Sequence, residues 1–315
     1  MKIVFLDAET IGKDIDLSGF AELGEFITYD ATRPEEVPER IADADVILTN
    51  KVPVNETTIG KARKLRFVGE TATGINNLDT DYLDQRGITW VNAAGYSTDS
   101  VTQHTFALLF YLIEKMRYYD DYVKEGRYRP GTCFTHVDEP YFEIKGKTWG
   151  IIGLGTIGRS VARVAESFGA NVIYASASGS APQEGYHMVS LDELYEKSDI
   201  ISVHAPLNKY TEHLIDADAF SKMKDSCVFL NLGRGPIIVE QDLRDALDRN
   251  EIAAAGLDVL DVEPMAEDNP LRGFTDSRRL VITPHIAWAS CEARKRLMEM
   301  ILDQLKDWIE AGGMK

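Results

Sequence analysis

Cysteine is scarce in this 315-residue sequence: only Cys133, Cys227 and Cys291 occur, with neither paired nor metal-like spacing. A disulfide framework and a thiolate metal site are thereby excluded, and the three read as reduced thiols of a cytoplasmic protein. Long apolar runs are also missing. The most apolar stretch, "FALLFYLI" at 106–113, is far short of a membrane span. The opening "MKIVFLDAET" reaches Asp7 after four consecutive apolar residues, too few for a signal-peptide core. Positive charge is the third deficit, with 34 Lys and Arg against 51 Asp and Glu, a net of −17. That field repels phosphate backbones and anionic lipid, so neither nucleic acid nor membrane is expected as a partner, and an anionic substrate needs a locally cationic site. There is no internal repeat and no low-complexity linker; the one Ser/Gly-rich patch, "SASGSAP", reads as a loop.

What is present suits two α/β domains. An apolar fraction of 44% supplies sizeable cores, and the length exceeds what one core usually supports. Short apolar runs recur at 2–7, 44–50, 65–71 and 87–93, then at 147–153, 170–176, 199–205, 227–233, 254–259 and 280–285. Continuous apolar runs bounded by polar turns fit strands buried on both faces, as in parallel sheets. Amphipathic stretches between them, such as "LDELYEKS" and "VEQDLRDALDRNE", fit crossover helices. The stretch "STDSVTQHTFALLFYLIEKMRYYDDYVKE" reads as one helix capped by Ser97 or Asp99, apolar enough at its centre to need burial on several sides. The terminal "CEARKRLMEMILDQLKDWIEAGG" puts Leu297, Ile301, Leu305 and Trp308 on one helical face and is ended by glycines.

The segment "GIIGLGTIGRS" follows an apolar run and leads into a helical pattern. In such a strand–turn–helix, Gly153 permits the tight turn, Gly155 lets a diphosphate approach the backbone, and Gly158 lets the helix pack on the strand. The helix start at Thr156 and Ile157 then offers N–H groups to that diphosphate. The acid that usually holds the adenosine ribose is missing: the next strand ends at Ser176, followed by Ala177 and Ser178, with no acid before Glu184. No arginine for a 2′-phosphate stands there either. A nicotinamide dinucleotide is expected, and both NAD and NADP remain admissible.

Three residues at the ends of later strands could do chemistry: Arg234 in "NLGRG", Glu263 in "LDVLDVEP" and His285 in "TPHIAWAS". In open parallel sheets ligands bind beyond the carboxyl ends of strands. Each residue alone fits a structural role as well, as surface cation, helix-start acid or satisfied histidine; beside a dinucleotide turn the three gain a common purpose. Reducing a 2-keto acid gathers negative charge on the carbonyl oxygen. A guanidinium grips the carboxylate and polarises the carbonyl, a histidine donates the proton, and a carboxylate bonded to it favours the imidazolium.

With "GLGTIG", "HAPLNKYTEHLI", "NLGRG", "GLDVLDVEP" and "TPHIAWAS" in order, the chain resembles the D-isomer-specific 2-hydroxyacid dehydrogenases along nearly its whole length. "ETATGINNLD", "AAGYSTDSVTQHTFALL" and Trp288 are similar to the glycerate dehydrogenase, or hydroxypyruvate reductase, branch. The resemblance implies two doubly wound parallel-sheet domains. A discontinuous flavodoxin-like substrate domain would span 1–97 and 287–315, and a Rossmann dinucleotide domain 98–286. It further implies a homodimer joined through the dinucleotide domains, and the apolar centre of the 99–122 helix makes that helix and its flanks the expected seam. On that resemblance Arg234 binds substrate, His285 is the acid/base and Glu263 its partner. Ala72, Thr73 and Gly74 hold the substrate carboxylate, Asp258 meets the nicotinamide carboxamide, and His204, Ala205 and Pro206 lie beside the adenine ribose. Ser176 departs from the family's acid, and Gln103 stands where many relatives carry glutamate. Two other readings stay in play. One is a phosphoglycerate dehydrogenase, against which stand substrate loops without a cation other than nearby Lys51 and a chain ending at Lys315 without a regulatory domain. The other is a non-catalytic dinucleotide-sensing regulator.

Overall fold

Each of the ten short apolar runs becomes a strand, usually trimmed by a polar residue at one or both ends. The computed structural model describes residues 1–179 and 185–314. Glu184, Lys315 and the 180–182 part of the expected Ser/Gly loop lie outside these. The chain divides into two compact units, Met1–Ser97 with Trp288–Lys315, and Thr98–Ala287.

The first unit holds a five-stranded, wholly parallel sheet in the order β2-β1-β3-β4-β5. Its strands are β1 (Lys2–Phe5), β2 (Glu25–Thr28), β3 (Val46–Thr49), β4 (Phe67–Glu70) and β5 (Thr89–Asn92). This is a flavodoxin-like order, whose chain reverses direction across the sheet between β1 and β3. β3 and β4 are buried at every position, which explains their unbroken apolar reading. β2 was not expected: an edge strand with exposed ends needs no apolar run. The Cys291–Glu310 helix puts Leu297, Ile301 and Leu305 into the core with Phe5, Leu48 and Phe67, and Trp308 packs against Phe67 at a ring separation of 5.1 Å.

The second unit holds a seven-stranded parallel sheet in the order β12-β11-β10-β9-β6-β7-β8. Its strands are β6 (Thr148–Ile152), β7 (Asn171–Ala175), β8 (His187–Met188), β9 (Ile200–Val203), β10 (Val228–Asn231), β11 (Ala254–Leu257) and β12 (Leu280–Ile282). This is the doubly wound dinucleotide-fold order, with its switch point between β6 and β9. The two-residue β8 is again an unexpected edge strand.

The single long helix expected after residue 97 is in fact two, Thr98–Ile113 and Met116–Lys124. Lys115 breaks it in a left-handed conformation, φ 51°, and its half-buried ammonium reaches Arg278 O at 3.5 Å. Burial pushes that ammonium below its usual range. Asp99 lies in the first turn rather than at the cap. The apolar centre of Thr98–Ile113 is accounted for inside its own unit, against β10, β11 and the Thr156–Ser167 helix.

Candidate active site

The glycine turn sits where the topology puts a ligand, between the carboxyl ends of β6 and β9. Gly153 has φ 93°, and a Cβ there would lie 2.7 Å from Ala205 N, so the turn and the 204–206 segment meet backbone to backbone. A Cβ on Gly158 would lie 2.2 Å from Gly153 O, whereas one on Gly155, at the cap of the Thr156–Ser167 helix, would meet nothing within 4 Å. Two glycines therefore close the turn and the third leaves room above a helix N-terminus, a cradle that fits a diphosphate. Ser176 follows β7 directly, its Oγ 3.3 Å from that of Ser178, and Gly153 N–H donates to neighbouring Ala175 O at 3.0 Å. His204 Nε2 lies 3.1 Å from Ser202 Oγ, and burial pushes the imidazole down to about 3, so it is neutral.

Arg234 is fixed through its main chain. Asn231, fully buried at the end of β10, donates from Nδ2 to Arg234 O at 3.0 Å and accepts from Gly233 N–H at 3.1 Å. The guanidinium Nη1 bonds Gly233 O at 2.8 Å, and no partner among the described residues takes Nε or Nη2. The next residue, Gly235, lies under the backbone of Leu260: a Cβ there would stand 1.8 Å from Leu260 C and O.

That close approach governs Glu263. One carboxylate oxygen accepts from Leu260 N–H at 2.9 Å and the other lies 2.6 Å from His285 Nδ1. Glu240, largely buried, supports the same segment by accepting from Asp261 N–H at 2.9 Å. His285 has φ 55°, a left-handed conformation that costs a non-glycine residue of order 1 kcal/mol. The strained turn is held by Asp258, 2% exposed, whose main-chain oxygen accepts from His285 N–H at 2.8 Å. Its carboxylate accepts from Ile286 N–H at 2.9 Å, Ala287 N–H at 2.8 Å and Thr283 Oγ1 at 2.6 Å. His104 Nε2 joins this network at 3.0 Å from Thr283 Oγ1. Glu263 and His285 are thus brought together, and within the chain Asp258 spends its carboxylate on the backbone that carries His285.

In the first unit the 72–74 loop shows a one-sided pattern. Its carbonyls are tied back: Thr71 O by Asn50 Nδ2 at 3.0 Å, Ala72 O by Ala93 N–H at 3.0 Å, Thr73 O by Asn92 Nδ2 at 2.8 Å. The N–H groups of Ala72, Thr73 and Gly74 have no partner among the described residues. Bound acceptors and displayed donors make an anion-receptive backbone.

Comparison with known proteins identifies the family. Residues 106–287 match the model of the D-isomer specific 2-hydroxyacid dehydrogenase, NAD binding domain. A hydroxypyruvate reductase from Blautia hydrogenotrophica is 41% identical over 98% of this chain and 97% of its own. A glycerate dehydrogenase from Methylorubrum extorquens is 36% identical over 98% and 95%. The crystal structure of an NADPH-dependent glyoxylate/hydroxypyruvate reductase from Sinorhizobium meliloti, in complex with NADP and malonate, superposes with a TM-score of 0.82. It is 25% identical, over 98% of this chain and 93% of that one. No helix among the described residues is long and apolar enough to cross a membrane. Similarity along nearly the whole chain, over a dinucleotide turn and a hydrogen-bonded Glu–His pair, places this protein in the D-isomer-specific 2-hydroxyacid dehydrogenase family.

Proposed function

We propose that this dehydrogenase reduces hydroxypyruvate or glyoxylate, and oxidises D-glycerate in reverse. The observation that carries the reading is the 2.6 Å contact between His285 Nδ1 and Glu263. A carboxylate only accepts, so Nδ1 keeps its hydrogen whether the ring is neutral or charged, and Nε2 is the atom that exchanges a proton. In reduction Nε2–H gives its proton to the substrate oxygen as charge gathers there, and the Glu263 carboxylate favours the imidazolium that precedes transfer. Arg234 uses the donors its own loop leaves unengaged to grip and polarise the keto acid. Ala72, Thr73 and Gly74 receive the substrate carboxylate on their N–H groups.

A nicotinamide dinucleotide, when bound, supplies or accepts the hydride. Gly153, Gly155, Thr156, Ile157 and Gly158 would hold its diphosphate. Ser176 and His204–Pro206 would hold the adenosine end, and Asp258 the carboxamide. With a serine in place of the acid, discrimination between NAD and NADP is weak. On this reading the Met1–Ser97 and Trp288–Lys315 unit binds substrate and the Thr98–Ala287 unit binds cofactor. The protein is a homodimer, supported by apolar side chains bare on the second unit: Phe134 at 86%, Val137 at 71% and Tyr141 at 58% exposure, with Met116 and Val123. Light scattering giving a monomer mass at micromolar protein would remove the dimer. Three cysteines without disulfide partners, two of them exposed, suit the reducing cytoplasm.

Initial rates with glyoxylate, hydroxypyruvate, pyruvate and phosphohydroxypyruvate, each with NADH and NADPH, test the reading. The highest kcat/KM is expected with hydroxypyruvate or glyoxylate. A preference for phosphohydroxypyruvate would make it a phosphoglycerate dehydrogenase, and dinucleotide binding without turnover a regulator.

A further inference from the structure

The N–H groups assigned above to the substrate carboxylate belong to a loop whose two ends are joined side chain to side chain. Glu70, the last residue of β4, is fully buried. Its Oε2 accepts a hydrogen bond from Asn77 Nδ2 at 2.9 Å, across the loop of residues 71–76. The same Asn77 amide reaches Val52 O at 3.2 Å, and Asn77 O accepts from Val54 N–H at 2.8 Å. Asn77 therefore binds the far end of the loop both to β4 and to the segment that follows β3. The near end is held by Thr71, which is fully buried and donates its N–H to Thr49 O at 2.7 Å.

Glu70 Oε1 has no partner among the described residues. A buried carboxylate with one oxygen unsatisfied is costly, and protonation removes most of that cost. Burial pushes the Glu70 carboxyl up to about 9, opposed by the Asn77 hydrogen bond, reinforced by Asp7 after β1 and opposed by Lys51 after β3. Asp7 is itself raised by burial, although the Lys51 and Asn50 N–H groups favour its charged form. At neutral pH the base of the loop therefore carries an uncharged acid, not a second anion beneath the place where the substrate carboxylate binds.

We propose that Glu70 and Asn77 are positioning residues for the substrate: a latch that closes the 71–76 loop and keeps its N–H groups set for the keto-acid carboxylate. The inference rests on the keto-acid reading given above. The latch supports binding in ground and transition state alike, so its loss falls on KM more than on kcat.

Kinetics with hydroxypyruvate on the full-length Asn77→Ala, Glu70→Ala and Glu70→Gln variants test it, together with hydrogen exchange across residues 70–79. Asn77→Ala and Glu70→Ala should raise KM roughly tenfold with kcat within about threefold, and speed exchange in the loop. Glu70→Gln keeps the shape, an acceptor for Asn77 and a neutral side chain, and should restore KM to within about twofold at pH 7. The ratio of native KM to Glu70→Gln KM cancels the titration of every other group, and it should rise as pH passes through about 9. Should Glu70→Ala fail to fold, Asn77→Ala still decides. Unchanged KM and exchange in Asn77→Ala would overturn the latch. If the parent reduces no 2-keto acid, the functional reading fails, and the exchange data alone then judge whether Glu70 and Asn77 close the loop.

Discussion

Gly235→Ala should cripple catalysis from a position that carries no functional group. The glycine φ is unremarkable, so the substitution brings no backbone penalty, only a methyl group. That methyl would stand 1.8 Å from Leu260 C and O and 2.4 Å from Asp261 N. It falls about 1.6 Å short of ordinary contact between non-bonded atoms. Leu260 and Asp261 must retreat, and their N–H groups are the ones bonded to Glu263 and Glu240, each at 2.9 Å. Glu263 then loses the anchor that sets its other oxygen against His285. Displacement of a reacting group by about 1 Å commonly costs on the order of 10²-fold in rate, and that loss in kcat is expected here. The obstacle is backbone rather than a movable side chain, so overpacking costs at least about 1–3 kcal/mol of stability, and kcat is to be read on folded protein below its measured Tm. The glycine turn is on another strand, so dinucleotide Kd should hold within about threefold. Combined with Glu263→Gln, the loss should be well below the product of the two single effects, because both act through the same carboxylate. Parent-like kcat, or fully multiplicative losses, would sever Gly235 from Glu263.

Replacing His285 by alanine should lower kcat roughly 10²–10⁴-fold at unchanged dinucleotide affinity; a variant that binds cofactor and reduces hydroxypyruvate at the parent rate would take His285 out of the mechanism. Ser176→Asp should turn a roughly tenfold or smaller cofactor preference towards NADH, read as the kcat/KM ratio for NADH and NADPH, since a carboxylate repels a 2′-phosphate. Glu70→Gln should change how stability depends on pH. An acid raised from 4.5 to about 9 is protonated in the folded state while the unfolded chain ionises, so native stability falls as pH rises through that window. The slope is at most about 1.4 kcal/mol per pH unit. Urea unfolding should show the glutamine variant gaining on the native protein between pH 5 and pH 9, and a constant difference would show that Glu70 ionises in the folded state.

The parallel sheets were legible because strands buried on both faces spell continuous apolar runs, as β3, β4 and β9 do. β2 escaped because its ends are exposed and an edge strand carries no such run. The break at Lys115 escaped because helical periodicity continues through "LIEKMRYY", while the left-handed backbone there and its contact with Arg278 O show only in the folded chain. Arg234, Glu263 and His285 could be proposed from residue type at strand ends, and the structure bonds Glu263 to His285. Asn231, Glu240 and Asn77 could not, since an amide or carboxylate acquires meaning only from the backbone that approaches it. One signal was available: Glu70, Asn231 and Asp258 are each a polar residue ending or following an otherwise apolar strand. Each is almost fully buried, and a buried polar group is kept there by hydrogen bonds.

On the proposed function, strand-end residues of this kind also account for how a chain of net charge −17 would receive an anionic substrate. A cluster of lysines would work against the chain's own long-range field only within a screening length, about 8 Å at physiological salt. Backbone N–H groups act at contact and carry no charge for that field to oppose. They need only be prevented from finding partners within the chain. Asn50 and Asn92 do this in the first unit by occupying the carbonyls of Thr71 and Thr73, so that the loop turns its donors outward. Asn231 does the converse for Arg234, securing its main chain so that the guanidinium is the part left to act. Asp258 binds the amides of Ile286 and Ala287 and so fixes the strained turn that carries His285, the proton donor of the proposed reaction. In all three places a polar side chain is buried at a cost of a few kcal/mol unless its hydrogen bonds are met. Meeting those bonds with the polar groups of a loop fixes that loop, so the requirement that stabilises the strand end also orients the chemistry beyond it.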